Sequence, residues 1–261
     1  MKDIILCDFD GTITTQDTLV AILDRFAGPA WKDVGKSILN KEFGTGIGLK
    51  REIALCDPKK ATKEAIVRLL NEDIEIDPHF KPFLEFCAGN NYEFLILSGG
   101  FSLCIDTILK KYGLGNIAYY ANKVLFPRLN STRRNAWRGP ASFCLLKGLA
   151  GEKDRLDIEY PHLSENCNEC GNCKTMHLER YRKAGYRITY IGDSITDTCP
   201  AKHANLVFSK GHLTEYCLKE KIRHIPYKTF ADIRAYMEKY STAPHTAVWG
   251  METKNTTGGS L

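Results

Sequence analysis

No stretch of this chain is apolar for long enough to cross a membrane as a helix. Its N-terminus lacks the charged-then-apolar pattern of a secretory signal. A soluble, cytoplasmic protein is the expectation. Charge of one sign is also scarce. A net charge of +5 over 261 residues is a mild field that favours anionic small molecules and argues against nucleic-acid partners. The nearest approach to a basic run, Arg133-Arg134-Asn135-Ala136-Trp137-Arg138, reads as an exposed loop. No internal repeat is present, which excludes a solenoid or propeller. What is there is ordinary: 43% hydrophobic and 26% charged residues, enough for one large core and a smaller domain. Ten cysteines without a sign of export do not read as a disulfide framework. Seven stand singly among apolar neighbours (Cys7, Cys56, Cys87, Cys104, Cys144, Cys199 and Cys217) and read as small buried hydrophobes.

The chain is organised around Ile4-Ile5-Leu6-Cys7-Asp8-Phe9-Asp10-Gly11-Thr12. The apolar run predicts a short strand buried on both faces. Asp8 and Asp10 follow where that strand ends, the edge at which open α/β sheets bind ligands. Two clustered carboxylates repel. A metal ion, or a split between nucleophile and acid/base roles, would justify the pair.

After Thr12 the periodicity turns helical. Helices are predicted over Thr18–Phe26, Trp31–Phe43, Leu49–Cys56 and Thr62–Asn71, with Gly44–Gly48 as a flexible loop and no clear capping box at Thr62. This block holds no convincing strand and reads as a helical insertion. A helix over Phe80–Cys87 precedes the second apolar strand, Tyr92–Leu97, which runs into Ser98-Gly99-Gly100. A hydroxyl followed by two residues without Cβ suits an oxyanion. A helix over Phe101–Tyr112 follows, then one or two strands within Ile117–Phe126. The pattern from Pro127 to Asn166 is poor, apart from an extended piece at Leu156–Tyr160. A helix over Asn172–Ala184 carries Lys174 near its start. A third strand, Arg187–Ile191, leads into Gly192-Asp193-Ser194-Ile195-Thr196-Asp197, where Asp193 and Asp197 can face one hard cation. Another strand, Asn205–Phe208, ends at Ser209, and helices over Leu213–Lys221 and Thr229–Tyr240 close the fold. Strands separated by helices predict a doubly wound parallel sheet with helices on both faces.

Four stretches, in order, resemble the haloacid dehalogenase (HAD) superfamily: Asp8-Phe9-Asp10-Gly11-Thr12, Ser98, Lys174 and Gly192–Asp197. The resemblance implies a Rossmann-like α/β core over 1–13 and 78–240 and a small helical cap over 14–77 that selects the substrate. Residues 241–261 read as a flexible tail. It implies a Mg²⁺-dependent phosphomonoesterase for a small phosphorylated metabolite. Asp8 would be the nucleophile forming an aspartyl-phosphate, and Asp10 the general acid and base. Ser98, with Gly99 and Gly100, would hold phosphate oxygens. Lys174 would neutralise charge. Asp8, Asp10 (through its carbonyl), Asp193 and Asp197 would form the metal site, Asp197 alternatively supporting Lys174.

Ser98-Gly99-Gly100-Phe101 is similar to the phosphoserine-phosphatase-like branch. Ile158-Glu159-Tyr160-Pro161-His162 and Cys170-Gly171-Asn172-Cys173-Lys174 resemble the methionine-salvage phosphatases, which act on 2-hydroxy-3-keto-5-methylthiopentenyl 1-phosphate. Phosphoserine phosphatases and phosphoethanolamine/phosphocholine phosphatases are the alternatives. Asp17 stands near the Glu that phosphoserine phosphatases carry after the first motif, and Lys50, Arg51 and Glu52 near their cap Arg. A phosphomutase and a HAD-fold binding module are readings of another class. Cys167, Cys170 and Cys173, with His162 before them, would complete a tetrahedral Zn²⁺ site. No second Cys-x-x-Cys pair accompanies them, and reduced buried thiols beside Lys174 are the other reading. Oligomeric state is not readable.

Overall fold

The computed structural model describes residues 2–127, 155–165, 167 and 169–241. The loop Arg133–Arg138, Cys144 and the tail 242–261 lie outside them. The sheet has seven strands: β1 (Lys2–Cys7), β2 (Tyr92–Phe101), β3 (Tyr119–Leu125), β4 (Asp157–Glu159), β5 (Tyr186–Gly192), β6 (Leu206–Ser209) and β7 (Ile225–Pro226). Their order is β4-β3-β2-β1-β5-β6-β7. Every pair is parallel except β3 with β4. The chain thus starts at the centre and winds outward both ways, and β1 lies at the switch point where such sheets open a crevice.

Alternation along β1 explains its unbroken apolar run. Ile5 and Cys7 pack into the larger core, with Phe80, Phe83 and Phe230. Ile4 and Leu6 face the opposite layer, with Leu95, Leu97, Leu178 and Tyr190. All four β1 residues are buried, each worth up to about 1.5–3 kcal/mol of apolar transfer for the larger side chains.

Between β1 and the helix Phe80–Gly89 stand four helices: α1 (Thr18–Phe26), α2 (Trp31–Leu39), α3 (Thr45–Ile53) and α4 (Lys63–Asp73). Their apolar faces join the same core as Ile5 and Phe80, through Ile22, Leu23, Ile53 and Leu70. Asp17 caps α1 by accepting from Val20 N. Thr62 caps α4 by accepting from Ala65 N at 3.2 Å, so the start of that helix is sharper than its sequence suggested.

The expected loop Gly44–Gly48 is instead the first turn of α3. Its glycines serve close approach. A Cβ on Gly48 would stand 2.3 Å from Ile38 Cδ1, and one on Gly46 would stand 3.0 Å from Gly171 N. Helix α2 stops at Leu39, short of Phe43. β2 continues through Ser98-Gly99-Gly100 to Phe101, and its pairing with β3 shifts register between Leu97 and Phe101. That irregularity sits where the strand meets the site. Of the single cysteines, Cys7, Cys56, Cys87, Cys104 and Cys217 are buried as expected, but Cys199 is exposed.

Candidate active site

The carboxyl ends of β1, β2 and β5 converge on one crevice. β1 delivers Asp8, whose N–H donates to Ile191 O of β5 at 2.9 Å. β2 delivers Ser98, and the turn after β5 delivers Asp193 and Asp197. The helix Lys174–Lys183 packs across β5 and starts with Lys174. The ammonium of Lys174, buried at 3% exposure, lies 2.7 Å from Asp8 Oδ1 and 2.7 Å from Asp197 Oδ1. It also donates to Thr196 Oγ1 at 3.3 Å.

Asp197 is fully buried, and both its oxygens are occupied. Oδ1 accepts from Lys174 and from the Tyr190 hydroxyl at 2.5 Å. Oδ2 accepts the N–H groups of Asp193 (3.0 Å) and Ser194 (2.9 Å). A Cβ on Gly192 would stand 2.6 Å from Asp197 Cγ, so glycine lets the strand end close over this carboxylate. Burial alone would raise the Asp197 pKa. Lys174, Tyr190 and the Ser194 amide outweigh it and hold the group below the ordinary carboxylate value. Lys174 is likewise opposed by burial, yet its two carboxylates hold it above the usual lysine value.

The remaining carboxyls are pushed the other way. Burial, then the charge of Asp197, holds Asp8 well above its ordinary value. The same two causes raise Asp193 to about 6. Asp10 is raised to about 6 by burial and by Asp17. Asp10 is gripped separately. Its Oδ1 accepts from Thr18 N (3.0 Å) and Thr18 Oγ1 (2.5 Å), and its Oδ2 faces Ser98 Oγ at 3.4 Å. A Cβ on Gly100 would come within 2.7 Å of Asp10 Oδ2. Ser98 Oγ is held in turn by Gly100 N at 2.9 Å.

Four carboxyls thus share a crevice with one ammonium, and that surplus of negative charge suits a cation. Oxygen ligands of Asp8, Asp193 and Asp197 lie within 4.8 Å of one another. The donor set is hard and anionic, the kind that holds Mg²⁺. Gly11, at φ +70°, closes over Asp193, where any Cβ would stand 2.7 Å from Oδ2. Thr12 Oγ1 orients Asp193 through its Oδ1 at 2.5 Å. The residues fit the metal. The side chain of Asp10 stands outside the group of three. Asp197, which belongs to the group of three, also has both oxygens engaged, Oδ1 by Lys174 and Tyr190 and Oδ2 by two N–H groups.

Among the described residues, no three of the expected zinc ligands His162, Cys167, Cys170 and Cys173 have ligand atoms within 4.8 Å of one another, although Cys167, Cys170 and Cys173 line one cavity together with Cys199. The His162 ring packs on aromatic partners instead, 4.9 Å from Tyr120 and 5.3 Å from His177. Burial, with the neighbouring Cys167, Cys173 and Cys199, raises the Cys170 thiol to about 11. Ser209, at the fourth strand end, is buried against Thr214 and takes no part.

Sequence reasoning missed the brace that joins Ser98 to Lys174. Asn172 is buried, and its Nδ2 donates to Ser98 O (2.9 Å) and Tyr120 O (3.0 Å). Its Oδ1 therefore accepts, and His177 Nε2 donates to it at 2.8 Å. Burial, with the charges of His162 and Arg180, lowers His177 to about 4, so the ring is neutral at pH 7. Asn172→Leu strands two carbonyls and one N–H. At about 1–3 kcal/mol for each of these three buried groups left bare, the expected result is a Tm lowered by about 6 °C or more in a calorimetric scan. A Tm within 1 °C of wild type would remove this brace from the account.

The model for haloacid dehalogenase-like hydrolases matches residues 5–202. The chain belongs to this family. A relative from Bacillus pumilus named 2-hydroxy-3-keto-5-methylthiopentenyl-1-phosphate phosphatase is 31% identical over 260 residues, covering 99% of this chain and 98% of the relative. Another of the same name from an Exiguobacterium species is 30% identical, covering 91% and 98%. A solved phospho-aspartyl intermediate analogue of phosphoserine phosphatase has a TM-score of 0.62 at 22% identity, over 90% of this chain and 98% of the other. That last likeness is one of fold. Asp8 stands at the end of β1, the sheet's switch point.

Proposed function

We propose that the chain is a Mg²⁺-dependent phosphomonoesterase working through an aspartyl-phosphate on Asp8. The observation that carries this reading is Lys174, 2.7 Å from both Asp8 and Asp197, at the centre of an acidic group. Phosphoryl transfer needs positioning and charge neutralisation more than new covalent machinery. Asp8 Oδ1 is held by Lys174 and by Phe9 N at 2.8 Å, which fixes the plane of the carboxylate for in-line attack on phosphorus. As the phosphorus–oxygen ester bond breaks, Asp10 gives a proton to the departing alkoxide. It then takes one from the water that cleaves the aspartyl-phosphate and releases inorganic phosphate. A pKa raised to about 6 suits a group that must do both. Ser98 Oγ and the N–H groups of Gly99 and Gly100 would receive phosphate oxygens. Mg²⁺ held by Asp8 and Asp193 would neutralise charge on the transferring group.

The substrate proposed is the phosphorylated methylthiopentenyl compound named for both relatives above. Residues 14–77 would form the cap over it, and residues 78–240 with β1 the catalytic core. The test is phosphate release from that compound, phosphoserine, phosphoethanolamine and nitrophenyl phosphate, with Mg²⁺ or with EDTA. The expected result is turnover that EDTA abolishes, fastest on the methylthio compound. Absence of phosphate release from every ester would refute the phosphatase reading and favour a binding role.

A further inference from the structure

The crevice continues into a cavity of about 260 Å³ roofed by α1, α2 and α3. Its floor is the acidic group already described. Its roof is new. Leu19, Ile38 and Leu49 supply an aliphatic wall, and Asp17 and Glu52 supply two carboxyls. The Glu52 side chain is 6% exposed, and its Oε1 lies 3.8 Å from where a Cβ on Gly35 of α2 would stand. Among the described residues no hydrogen bond or ion pair ends on that carboxyl. Asp17 is different, since its Oδ1 is committed to Val20 N at 3.0 Å. Burial and the neighbouring Asp17 raise Glu52 to about 7. The mechanism above uses neither group.

The roof holds no cation. Lys174 is the one cationic side chain among the described residues lining the cavity, and Asp8 and Asp197 already claim it. Lys50 pairs with Asp157 at 2.9 Å, and the Arg51 guanidinium lies over the Phe43 ring at 4.2 Å. Neither lines the cavity. A leaving group carrying a carboxylate would meet Asp17 and Glu52 without a compensating charge, in a confined space where like charges repel strongly. The described lining also has no aromatic ring, whereas quaternary ammonium groups are received on aromatic faces. Three aliphatic side chains and one unpartnered buried carboxyl match an apolar tail with a hydroxyl to donate.

We propose that Glu52 is a specificity-determining residue: its carboxylate accepts a hydrogen bond from a hydroxyl of an uncharged leaving group whose apolar tail lies on Leu19, Ile38 and Leu49, and with Asp17 it excludes carboxylate-bearing phosphomonoesters. This rests on the phosphatase reading and assigns the leaving-group class. Sites that bond a polar substrate group and reject its analogues by unpaired charge discriminate by about 10²-fold or more.

The experiment compares kcat/KM on the uncharged methylthio keto-phosphate, phosphoserine and phosphoethanolamine for wild type, Glu52→Gln and Glu52→Arg, with thermal unfolding as the check on folding. Wild type is expected to prefer the uncharged ester over phosphoserine by about 10²-fold. Glu52→Gln is expected to cut that ratio about tenfold. Glu52→Arg is expected to turn over phosphoserine faster than wild type, a gain that misfolding cannot produce. A wild-type enzyme that hydrolyses phosphoserine as well as the uncharged ester overturns the proposal. So does a ratio unchanged in both variants. Preference for phosphoethanolamine, lost in Glu52→Gln, would overturn it in favour of a cationic leaving group. If wild type releases phosphate from nitrophenyl phosphate but these outcomes appear, the specificity claim alone fails. If it releases none from any ester, the phosphatase reading fails first and this proposal with it.

Discussion

Asp8→Asn is expected to lower phosphate release by on the order of 10⁴-fold or more while leaving the fold intact. The amide keeps an oxygen to accept from Phe9 N and Lys174 but loses the charge that attacks phosphorus. Stability should not fall with activity. Asp8 is 4% exposed, and burial and the charge of Asp197 hold its pKa well above the ordinary carboxylate value. Folding therefore disfavours the ionised form of this group in the metal-free protein. Removing that charge relieves repulsion among Asp8, Asp193 and Asp197 and turns the Lys174 contact from an ion pair into a hydrogen bond to a neutral amide, while Lys174 retains Asp197 at 2.7 Å. The expected Tm in EDTA is equal to wild type or higher. Mg²⁺ should raise the Tm of wild type more than that of the variant, because binding to the native state alone stabilises it. Turnover near the wild-type rate would sink the nucleophile assignment. A collapse in Tm would mean that Asp8 is chiefly structural.

Much of this was legible in the sequence, for a physical reason. A strand buried on both faces must be apolar at every position, so β1 and its terminal carboxyls stand out. Tyr92–Leu97 and Arg187–Ile191 follow this only over their later, buried residues, since Glu93 is exposed and Arg187 half-buried; their polar ends mark the crevice. What was not legible depends on contacts made across the fold. Gly46 and Gly48 read as flexible loop residues because glycine composition does not distinguish freedom from crowding; here they let α3 press on Ile38 and Gly171. Thr18 read only as a helix start, yet it makes two of the contacts that hold Asp10. Tyr190 read as one more apolar strand residue, and its hydroxyl is what Asp197 accepts from. Asn172 braces Ser98 from 74 positions away, a pairing no local pattern carries. The spacing Cys-x-x-Cys-x-x-Cys does bring Cys167, Cys170 and Cys173 to one cavity, where Cys199 joins them from well along the chain, a convergence that no local pattern carries; His162 instead packs against Tyr120 and His177.

Lys174→Met is expected to cost both activity and stability. Methionine fills similar volume but strands Asp8 and Asp197, each at most 4% exposed, without their shared cation. Removing one partner of a buried ion pair typically costs about 3–5 kcal/mol, so the expected Tm falls by about 10 °C or more. Loss of one charge that neutralises the transferring phosphoryl group should also lower kcat by about 10²-fold to 10³-fold. The stability loss should depend on pH, with a definite sign. In wild type the folded pKa of Asp197 lies below its ordinary value. Its contribution is therefore fully present above about pH 4 and lost as pH falls through the folded value. Lys174 lies above its ordinary value of 10.5, so its contribution is constant from pH 5 to pH 8. Without the ammonium, burial and mutual repulsion push both carboxyls upward. The folded variant then binds protons that the unfolded chain releases, and its stability falls as pH rises. The Tm deficit against wild type, measured in EDTA, should be larger at pH 8 than at pH 5. Equal deficits at both pH values would show that the loss is one of packing, and that Lys174 does not hold Asp197 in its ionised form.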